Sequence, residues 1–235
     1  MAARRTARSA RPAPALEVDD ETSDDFWGAE FPPVARSLLT SAVVCFARNG
    51  FHATTTRHIT SAVELSPGAL YVHFSSKEDV LYAIMRVGHQ RSLEALTDPR
   101  AAGTDAPPQD VDHAGVVADL VRRLVAWHAR HHTVARVCQY ELSGLSPEHY
   151  QDILDVRKRI TDVMRATVGK GVAAGTFDVD NVHRAVRAIL SLGVDLVRWY
   201  RLDQTDTPEE LGNFYAGLAL RMLGARRGFE GRADA

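Results

Sequence analysis

The sequence predicts an all-α protein, and three observations support that fold class. Apolar residues recur at spacings of three and four along successive stretches, as on one face of a helix. Gly, Pro and Asn separate these stretches, and no segment alternates between apolar and polar residues as a half-buried strand does. With 235 residues, 45% of them hydrophobic, the chain is long enough to bury a sizeable core in one domain or two small ones.

The overall composition excludes few functions. The formal net charge is -2 and the isoelectric point about 6.5, so any surface that attracts nucleic acid has to be local. Cys45 and Cys138 lie in apolar helical patterns, which favours buried free thiols over a disulfide. No apolar run approaches the roughly 20 residues that span a bilayer, and the N-terminal arginines are not followed by the apolar segment of a secretory signal. We therefore expect a cytoplasmic protein without a membrane partner.

Residues 1–30 are predicted to form a disordered tail, because they carry blocks of charge and few apolar side chains. Four arginines come first, and six acidic residues follow between residues 17 and 25. Two interpretations stay open, a solvated tail and a basic arm that follows the DNA backbone, and the first is favoured. Packing is expected to begin with Phe26, Trp27 and Phe31.

Residues 31–97 are predicted to form a helix-turn-helix domain. A first amphipathic helix runs from Val34 to Asn49, where Asn49-Gly50 ends it in the left-handed conformation that both residues tolerate. Thr54, Thr55 and Thr56 offer N-cap hydroxyls for a second helix, whose apolar side chains point inward at Ile59, Ala62 and Val63.

The next helix follows after a turn at Glu64-Leu65-Ser66. Ser66-Pro67 is a favourable start because Pro has no N–H to leave unsatisfied, and this helix is predicted to reach about Phe74. Ser75 to Glu78 matches a capping box at the start of a further helix. Two short helices around a tight turn are typical of proteins that place the second of them in the DNA major groove.

A linker is predicted at residues 98–113, where Pro, Gly, Ala and Asp occur without periodicity. Residues 114–225 then form a second helical domain. Its five predicted helices are Val116 to His132, Thr133 to Leu142, Glu148 to Ala174, Asn181 to Tyr200 and Pro208 to Leu223.

Two segments of the first domain resemble the TetR family of transcriptional regulators. They are Gly50-Phe51-His52-Ala53-Thr54-Thr55 and Leu70-Tyr71-Val72-His73-Phe74-Ser75-Ser76-Lys77-Glu78. The likeness covers about Val34 to Met85. Thr60-Ser61 departs from the small apolar residues usual there, which is a mild change. The resemblance implies a homodimer that binds double-stranded DNA through the first domain and a small effector through the second.

The resemblance and the local chemistry together predict the residues that contact DNA. The family's phosphate contacts fall on Tyr71 and Lys77, with His73 next to them. Thr55 and Thr56 lie at a helix N-terminus that can hold a phosphate. Three residues with small side chains early in the second helix are expected to approach base edges, namely Ser66, Gly68 and Ala69. Arg57, in the preceding helix, is expected to contact a guanine or a phosphate. Leu70 and Phe74 are expected to pack in the core.

The last two predicted helices have wide apolar faces. They either close the core of one chain or form a four-helix interface with a second copy, which we favour. A dimer matters because two reading helices must meet half-sites roughly 34 Å apart.

The effector pocket is expected where aromatic residues stand beside cations in apolar helices. The candidates are Trp127, His128, His131, Arg136, Gln139, Tyr140, Arg157, Arg198 and Trp199. An internal Arg requires an anion, which an anionic ligand supplies. Alternatively, Arg198 lies at the solvent-exposed end of a helix and caps its carbonyl groups. Phe177 to Asp180, with the helix ending VRWYR, resembles TetR proteins that sense acyl-CoA thioesters, so an acyl-CoA or another apolar anion is the expected effector.

Other functions have less support. His128 and His132 share a helix face at the spacing of a metal site, but Arg130 lies between them and no HExxH motif is formed. We expect neither a metal nor another cofactor. An enzyme is disfavoured because nucleophile-elbow, P-loop and dinucleotide-loop motifs are missing. A module that binds only protein partners is the remaining alternative. The favoured function is a regulator, by family default a repressor, that leaves a palindromic operator when an effector binds.

Overall fold

The computed structural model describes residues 24–98, 111–201 and 206–225 of the chain. All regular structure in these ranges is helical, which confirms the all-α fold class. The helices in chain order are α1 (Asp24–Trp27), α2 (Pro33–Asn49), α3 (Thr56–Ser61), α4 (Pro67–Leu70), α5 (Lys77–Thr97), α6 (His113–Arg130), α7 (His132–Tyr140), α8 (Pro147–Ala173), α9 (Val182–Asp195) and α10 (Pro208–Met222). Short 3-10 helices follow α7 (Leu142–Gly144) and α9 (Leu196–Arg198).

The ends of two predicted helices differ from the sequence expectation. The helix predicted from Pro67 to Phe74 ends at Leu70, and the Leu70 carbonyl accepts hydrogen bonds from both His73 N (3.0 Å) and Phe74 N (2.9 Å). The helix predicted from Asn181 to Tyr200 ends at Asp195, where the 3-10 turn begins. In each case the chain tightens its last turn, which is a common way to satisfy terminal carbonyls.

Ordered packing begins inside the segment predicted as a tail. α1 covers residues 24–27, and Trp27 is fully buried with its Nε1 donating to Thr40 Oγ1 at 2.8 Å. Arg91 Nε donates to the Phe26 carbonyl at 3.1 Å. The boundary at residue 30 is therefore too late, because an aromatic pair anchors this end to α2 and α5. The four predicted tail arginines lie outside the described residues, as do most of the predicted linker (99–110), residues 202–205 and residues 226–235.

The short helices α3 and α4 are held by one apolar cluster. Ile59 of α3 and Leu70 of α4 are completely buried in a cluster that includes residues of α2 and α5, and Phe74 is nearly so, as the sequence predicts. Ser41 Oγ donates to the Ile59 carbonyl at 2.7 Å, which ties α3 to α2. Helices this short are unstable alone, so tertiary packing holds them in place.

The turn between α3 and α4 is a Schellman motif built on a non-glycine residue. Leu65 N donates to the Thr60 carbonyl at 2.9 Å and Glu64 N to the Ser61 carbonyl at 3.3 Å. Glu64 has φ of 57°, the left-handed region that glycine usually occupies at this position.

The start of α5 differs from the predicted capping box. Ser76, not Ser75, is the N-cap, and its hydroxyl accepts from Asp79 N at 3.0 Å. The predicted partner Glu78 instead accepts from Ser146 N at 2.9 Å, far along the chain. A long-range partner has replaced the local one.

The C-terminal helices pack around α6, which contacts α10, α8, α5 and α9. Their apolar residues and those of α1–α5 belong to one continuous buried cluster. Among the described residues, no helix has both the length and the hydropathy required to cross a membrane.

Replacing Glu64 with Gly is expected to stabilise the protein by about 0.5–1 kcal/mol, because Gly adopts the left-handed conformation without a Cβ clash. Chemical denaturation measures the change in the free energy of unfolding. Glu64→Ala is the control, since it removes the carboxylate and keeps Cβ. An equal gain in both variants would assign the effect to charge and contradict the backbone explanation.

Candidate DNA-binding surface and ligand cavity

The N-terminus of α3 is capped from within the helix. Thr55 Oγ1 accepts from His58 N (3.2 Å), and the His58 ring nitrogen Nδ1 accepts from Thr55 N (3.3 Å). The Thr55 side chain is exposed, Thr56 is half-buried and Arg57 is exposed. Arg57 therefore extends from a rigid helix start into solvent, whereas the Thr55 hydroxyl already has a structural hydrogen bond.

The exposed face of α4 carries small side chains followed by an aromatic one. Ser66 and Gly68 are exposed, Ala69 is half-buried, and the Ser66 hydroxyl makes no capping hydrogen bond. Tyr71 is 57% exposed and Val72 is 78% exposed. Sequence reasoning missed Val72, which lies between two motif residues. An apolar side chain so exposed at the end of a reading helix can contact a thymine methyl group.

Lys77 has an internal role that the sequence did not predict. Its ammonium donates to the carbonyls of Phe51 and Thr54, both at 2.6 Å, and lies 4.2 Å from the centre of the Phe51 ring. Burial lowers the pKa of Lys77 from its ordinary value. Two of its three donors are thus used to hold the segment before α3 against the start of α5. His73, the other predicted neighbour of Tyr71, is half-buried.

A cavity of about 360 Å³ lies among α5, α6, α7, α8 and α9. Of the predicted pocket residues, it is lined by Trp127, His128, Gln139 and Arg157. The sequence missed most of the other side chains in its wall, because α5 was assigned to the DNA-binding domain alone. These include His89 and Ser92 from α5, Ile160 and Thr161 from α8, and Leu190 and Val194 from α9.

Five predicted pocket residues do not line this cavity. Arg198 is exposed and paired with Asp195 at 3.1 Å, and Trp199 lines a separate surface cleft with Phe214 and Tyr215. Arg198 ends the 3-10 turn that follows α9 and Trp199 comes directly after it, so neither continues the α-helical face that carries Val194. The other three are Tyr140, which is 47% exposed, Arg136, which lies over the Tyr140 ring, and His131, whose ring packs between Phe26 and Trp127.

Arg157 is the principal charge in the cavity wall. Its Nη2 donates to Gln139 Oε1 at 2.7 Å, and among the described residues no carboxylate lies within ion-pair distance of it. A guanidinium facing a cavity without an acidic partner favours an anionic or carbonyl group in that space.

Asp195, whose carboxylate is paired with Arg198 at 3.1 Å, also lines the cavity, and the remaining polar groups there are neutral. His89 and His128 each donate from Nδ1 to the carbonyl one turn earlier, at 2.8 Å, and burial lowers both pKa values to about 4. Each Nε2 is consequently an acceptor at neutral pH. Burial raises the pKa of the Cys138 thiol to about 12. The Ser92 hydroxyl is buried without a hydrogen-bond partner. The cavity therefore combines the Arg157 cation, a carboxylate that is already paired with Arg198, several neutral polar groups and an apolar wall.

Among the described residues, hydrogen bonds at Phe51, Glu78 and Tyr82 connect the N-terminal part of the chain with α7, α8 and the turn between them. Glu141 accepts from Phe51 N (2.9 Å), and Glu78 accepts from Ser146 N and from the His149 ring (both 2.9 Å). Tyr82 Oη donates to Asp152 at 2.9 Å, and its ring stacks on His149.

The group of side chains best placed for a metal, in the part of the chain that the structure describes, is Glu78, Asp79 and His149. Glu78 and His149 are hydrogen-bonded to each other there. His128 and His132, the two histidines considered as metal ligands from the sequence, have different surroundings. His128 faces the cavity, whereas His132 packs against Tyr200.

α9 and α10 leave large apolar side chains exposed on the surface. Phe214 is 63% exposed, Leu192 42% and Met222 36%. Single exposed apolar residues are ordinary, but several on adjacent helices favour an interface.

Comparison with known proteins follows the same division of the chain. Residues 38–84 match the model "Bacterial regulatory proteins, tetR family" and residues 114–223 match "Tetracyclin repressor-like, C-terminal domain". A regulatory protein in the tetR family from Rhodococcus RHA1 is similar at 38% identity and a TM-score of 0.75, over 83% of this chain and 100% of that one.

Two further relatives are more distant. The HTH-type transcriptional repressor KstR2 of Rhodococcus jostii (strain RHA1) is 28% identical over 185 residues, 78% of this chain and 87% of that protein. AibR, solved in complex with isovaleryl coenzyme A and operator DNA, shares the fold with a TM-score of 0.69 at 17% identity, over 82% of this chain and 100% of that one.

Acidification is expected to destabilise the folded protein. His89, His128 and His131 stay neutral in the folded chain down to a pKa of about 4, mainly because of burial. In the unfolded chain these rings protonate near 6.5. Between the two values the unfolded state binds more protons, so the free energy of unfolding falls as the pH falls, and the decline is complete only below about 4.

Denaturant unfolding between about pH 7 and pH 5 measures this slope. His128→Gln, which keeps a donor for the Leu124 carbonyl, is expected to flatten it. His52→Gln, at an exposed position, is the control and should leave the slope unchanged. A native slope in His128→Gln would show that buried histidines do not cause the pH dependence.

Proposed function

Because the chain belongs to the TetR family of bacterial transcriptional regulators, we propose that it binds a palindromic operator as a homodimer and is released by an anionic effector in the α5–α9 cavity. The observation that carries the effector part is Arg157, a cation that faces the cavity without a carboxylate partner among the described residues. Residues 31–97 together with α1 serve as the DNA-binding domain in this proposal, residues 98–113 as the linker, and residues 114–225 as the ligand-binding and dimerisation domain.

In this proposal α4 enters the major groove and α3 crosses the DNA backbone. Tyr71 and Arg57 are exposed and extend from fixed positions, so they are the favoured phosphate contacts. Ser66, Gly68, Ala69 and the exposed Val72 approach base edges. Lys77 contributes by positioning the segment 51–54, and its third N–H is left for a phosphate.

The proposed dimer uses the exposed apolar residues of α9 and α10. Phe214 and Leu192 would be covered by the same surface of a second copy, as a two-fold interface requires. Dimerisation would place two copies of α4 one DNA turn apart, so that each copy meets one half-site of the operator. A single four-residue helix would not bind DNA with high affinity by itself.

The proposed effector has an apolar body and an anionic or carbonyl group. A cavity of about 360 Å³ is at the lower end of ligand sites, which suits an acyl chain or a small ring system. Arg157 would pair with the carbonyl or carboxylate, and Ser92 would gain a partner for its buried hydroxyl. AibR, of the same fold, binds isovaleryl coenzyme A, and an acyl-CoA whose nucleotide projects from the cavity is our proposed class. We propose regulation rather than catalysis, and turnover of a bound acyl-CoA by the purified protein would contradict this.

Tyr71→Phe is expected to weaken operator binding by about tenfold, because one phosphate hydrogen bond is lost, and to leave the salt dependence of the affinity unchanged, because a neutral hydroxyl releases no counterion. Chromatin immunoprecipitation supplies the operator, and fluorescence anisotropy at several salt concentrations gives the affinity. Tyr140→Phe, at another exposed tyrosine, is the matched control. Native affinity in Tyr71→Phe would remove Tyr71 from the interface, and an absence of enriched DNA would favour a protein-interaction module.

Arg157→Gln is expected to abolish the rise in melting temperature that octanoyl-CoA produces in the native protein, because ligands that bind the folded state raise its stability. Arg159→Gln, at an exposed arginine of the same helix, is the control and should respond as the native protein does. An equal rise in all three proteins would place the ligand outside the cavity.

A further inference from the structure

We propose that Glu141 is the positioning residue through which an occupied cavity changes the placement of the DNA-binding helices. This inference rests on the proposed function, because it concerns regulation by the same cavity. The side chain joins two parts of the chain that are 90 residues apart: Glu141 Oε2 accepts a hydrogen bond from Phe51 N at 2.9 Å.

The cavity end of this connection is Gln139. Its side-chain oxygen accepts from Arg157 at 2.7 Å, and it stands in the last turn of α7, two residues before Glu141. An anion bound to Arg157 competes with Gln139 for the same guanidinium donors. Loss of that hydrogen bond removes a polar restraint on the last turn of α7, which is otherwise held by the packing of Val137 and Cys138.

The DNA end of the connection is the segment 51–54. Phe51 N donates to Glu141, and the Phe51 and Thr54 carbonyls accept from Lys77. Thr55, the N-cap of α3, follows directly. A carboxylate on one side and an ammonium on the other therefore set where α3 begins.

Close packing makes this junction respond as a unit. The 3-10 turn after Glu141 lies on the Phe51 ring so tightly that a Cβ added at Gly144 would be 2.5 Å from Phe51 and 2.8 Å from Leu81. Phe51 packs in turn on Phe46, with ring centroids 5.5 Å apart. Interiors packed in this way do not absorb displacement gradually, so a shift of Glu141 carries Phe51 with it.

The charge of the Glu141 carboxylate strengthens its hydrogen bond with Phe51 N. A charged acceptor makes a stronger hydrogen bond to an amide N–H than a neutral one does. Phe51 N lies just after the C-terminus of α2, where the α2 helix itself offers no acceptor to that amide. Removing the carboxylate leaves the amide without this acceptor and releases the segment that precedes α3.

The test measures amide hydrogen exchange in a peptide spanning residues 50–61 with and without a cavity probe. The probe is the dye 8-anilinonaphthalene-1-sulfonate, whose sulfonate represents the anionic group. In the native protein, saturation with dye is expected to accelerate exchange of this peptide. In Glu141→Ala the exchange is expected to be about tenfold faster already without dye, and dye should add nothing while binding with native affinity.

Two control variants separate coupling from stability. Glu141→Gln keeps an oxygen that accepts from Phe51 N and should restore part of the dye response. Tyr82→Phe removes a hydrogen bond to Asp152 that also joins the two halves of the chain at 2.9 Å, and it should respond to dye as the native protein does.

Several outcomes would overturn the inference. They are a native dye response in Glu141→Ala, no dye response in the native protein at saturation, and loss of the response in Tyr82→Phe to the same extent as in Glu141→Ala. Failure of the proposed function gives a different result, since Arg157→Gln would then bind the dye with native affinity.

Discussion

The position of the DNA-binding helices depends on the clamp that Lys77 forms on the carbonyls of Phe51 and Thr54. α3 has six residues and α4 has four, too few to hold their own conformation in water. They are placed by what surrounds them: burial of Ile59 and Leu70, the bond from Ser41 to α3, and an ammonium that fixes the chain before α3. A phosphate contact by the third donor of Lys77 would use a group that this clamp already orients.

The cavity differs from the Lys77 clamp in how its main charge is held. The Arg157 guanidinium lacks a charged partner among the described residues. Arg157 is satisfied by the neutral amide of Gln139, while burial keeps His89 and His128 uncharged at neutral pH. A guanidinium in such surroundings is less stable than one paired with a carboxylate. The anionic ligand that we propose would remove this deficit, so the same feature that weakens the empty protein would favour binding.

The clamp and the cavity belong to one continuous apolar core, so neither half of the molecule is an independent body in its packing. Polar contacts across the junction are few and specific, and the Glu141 bond to Phe51 N is the one that is linked through Gln139 to the cavity. In the coupling that we propose, a ligand would alter DNA affinity by its differential binding to two arrangements of this junction.

The sequence by itself determined the fold class, the family and most helix boundaries, because their signals are local. Ser66-Pro67, Asn49-Gly50 and the apolar periodicity each act within one or two turns of chain. Tertiary structure alone decided that Glu78 bonds to Ser146 and not within its own helix, that Lys77 faces inward, and that Arg198 pairs with Asp195 and does not line the cavity. It also brought His89 and Ser92 to the cavity from a helix assigned to DNA binding. Such partners depend on how each helix is rotated against its neighbours, and a pattern along one helix carries no record of that rotation.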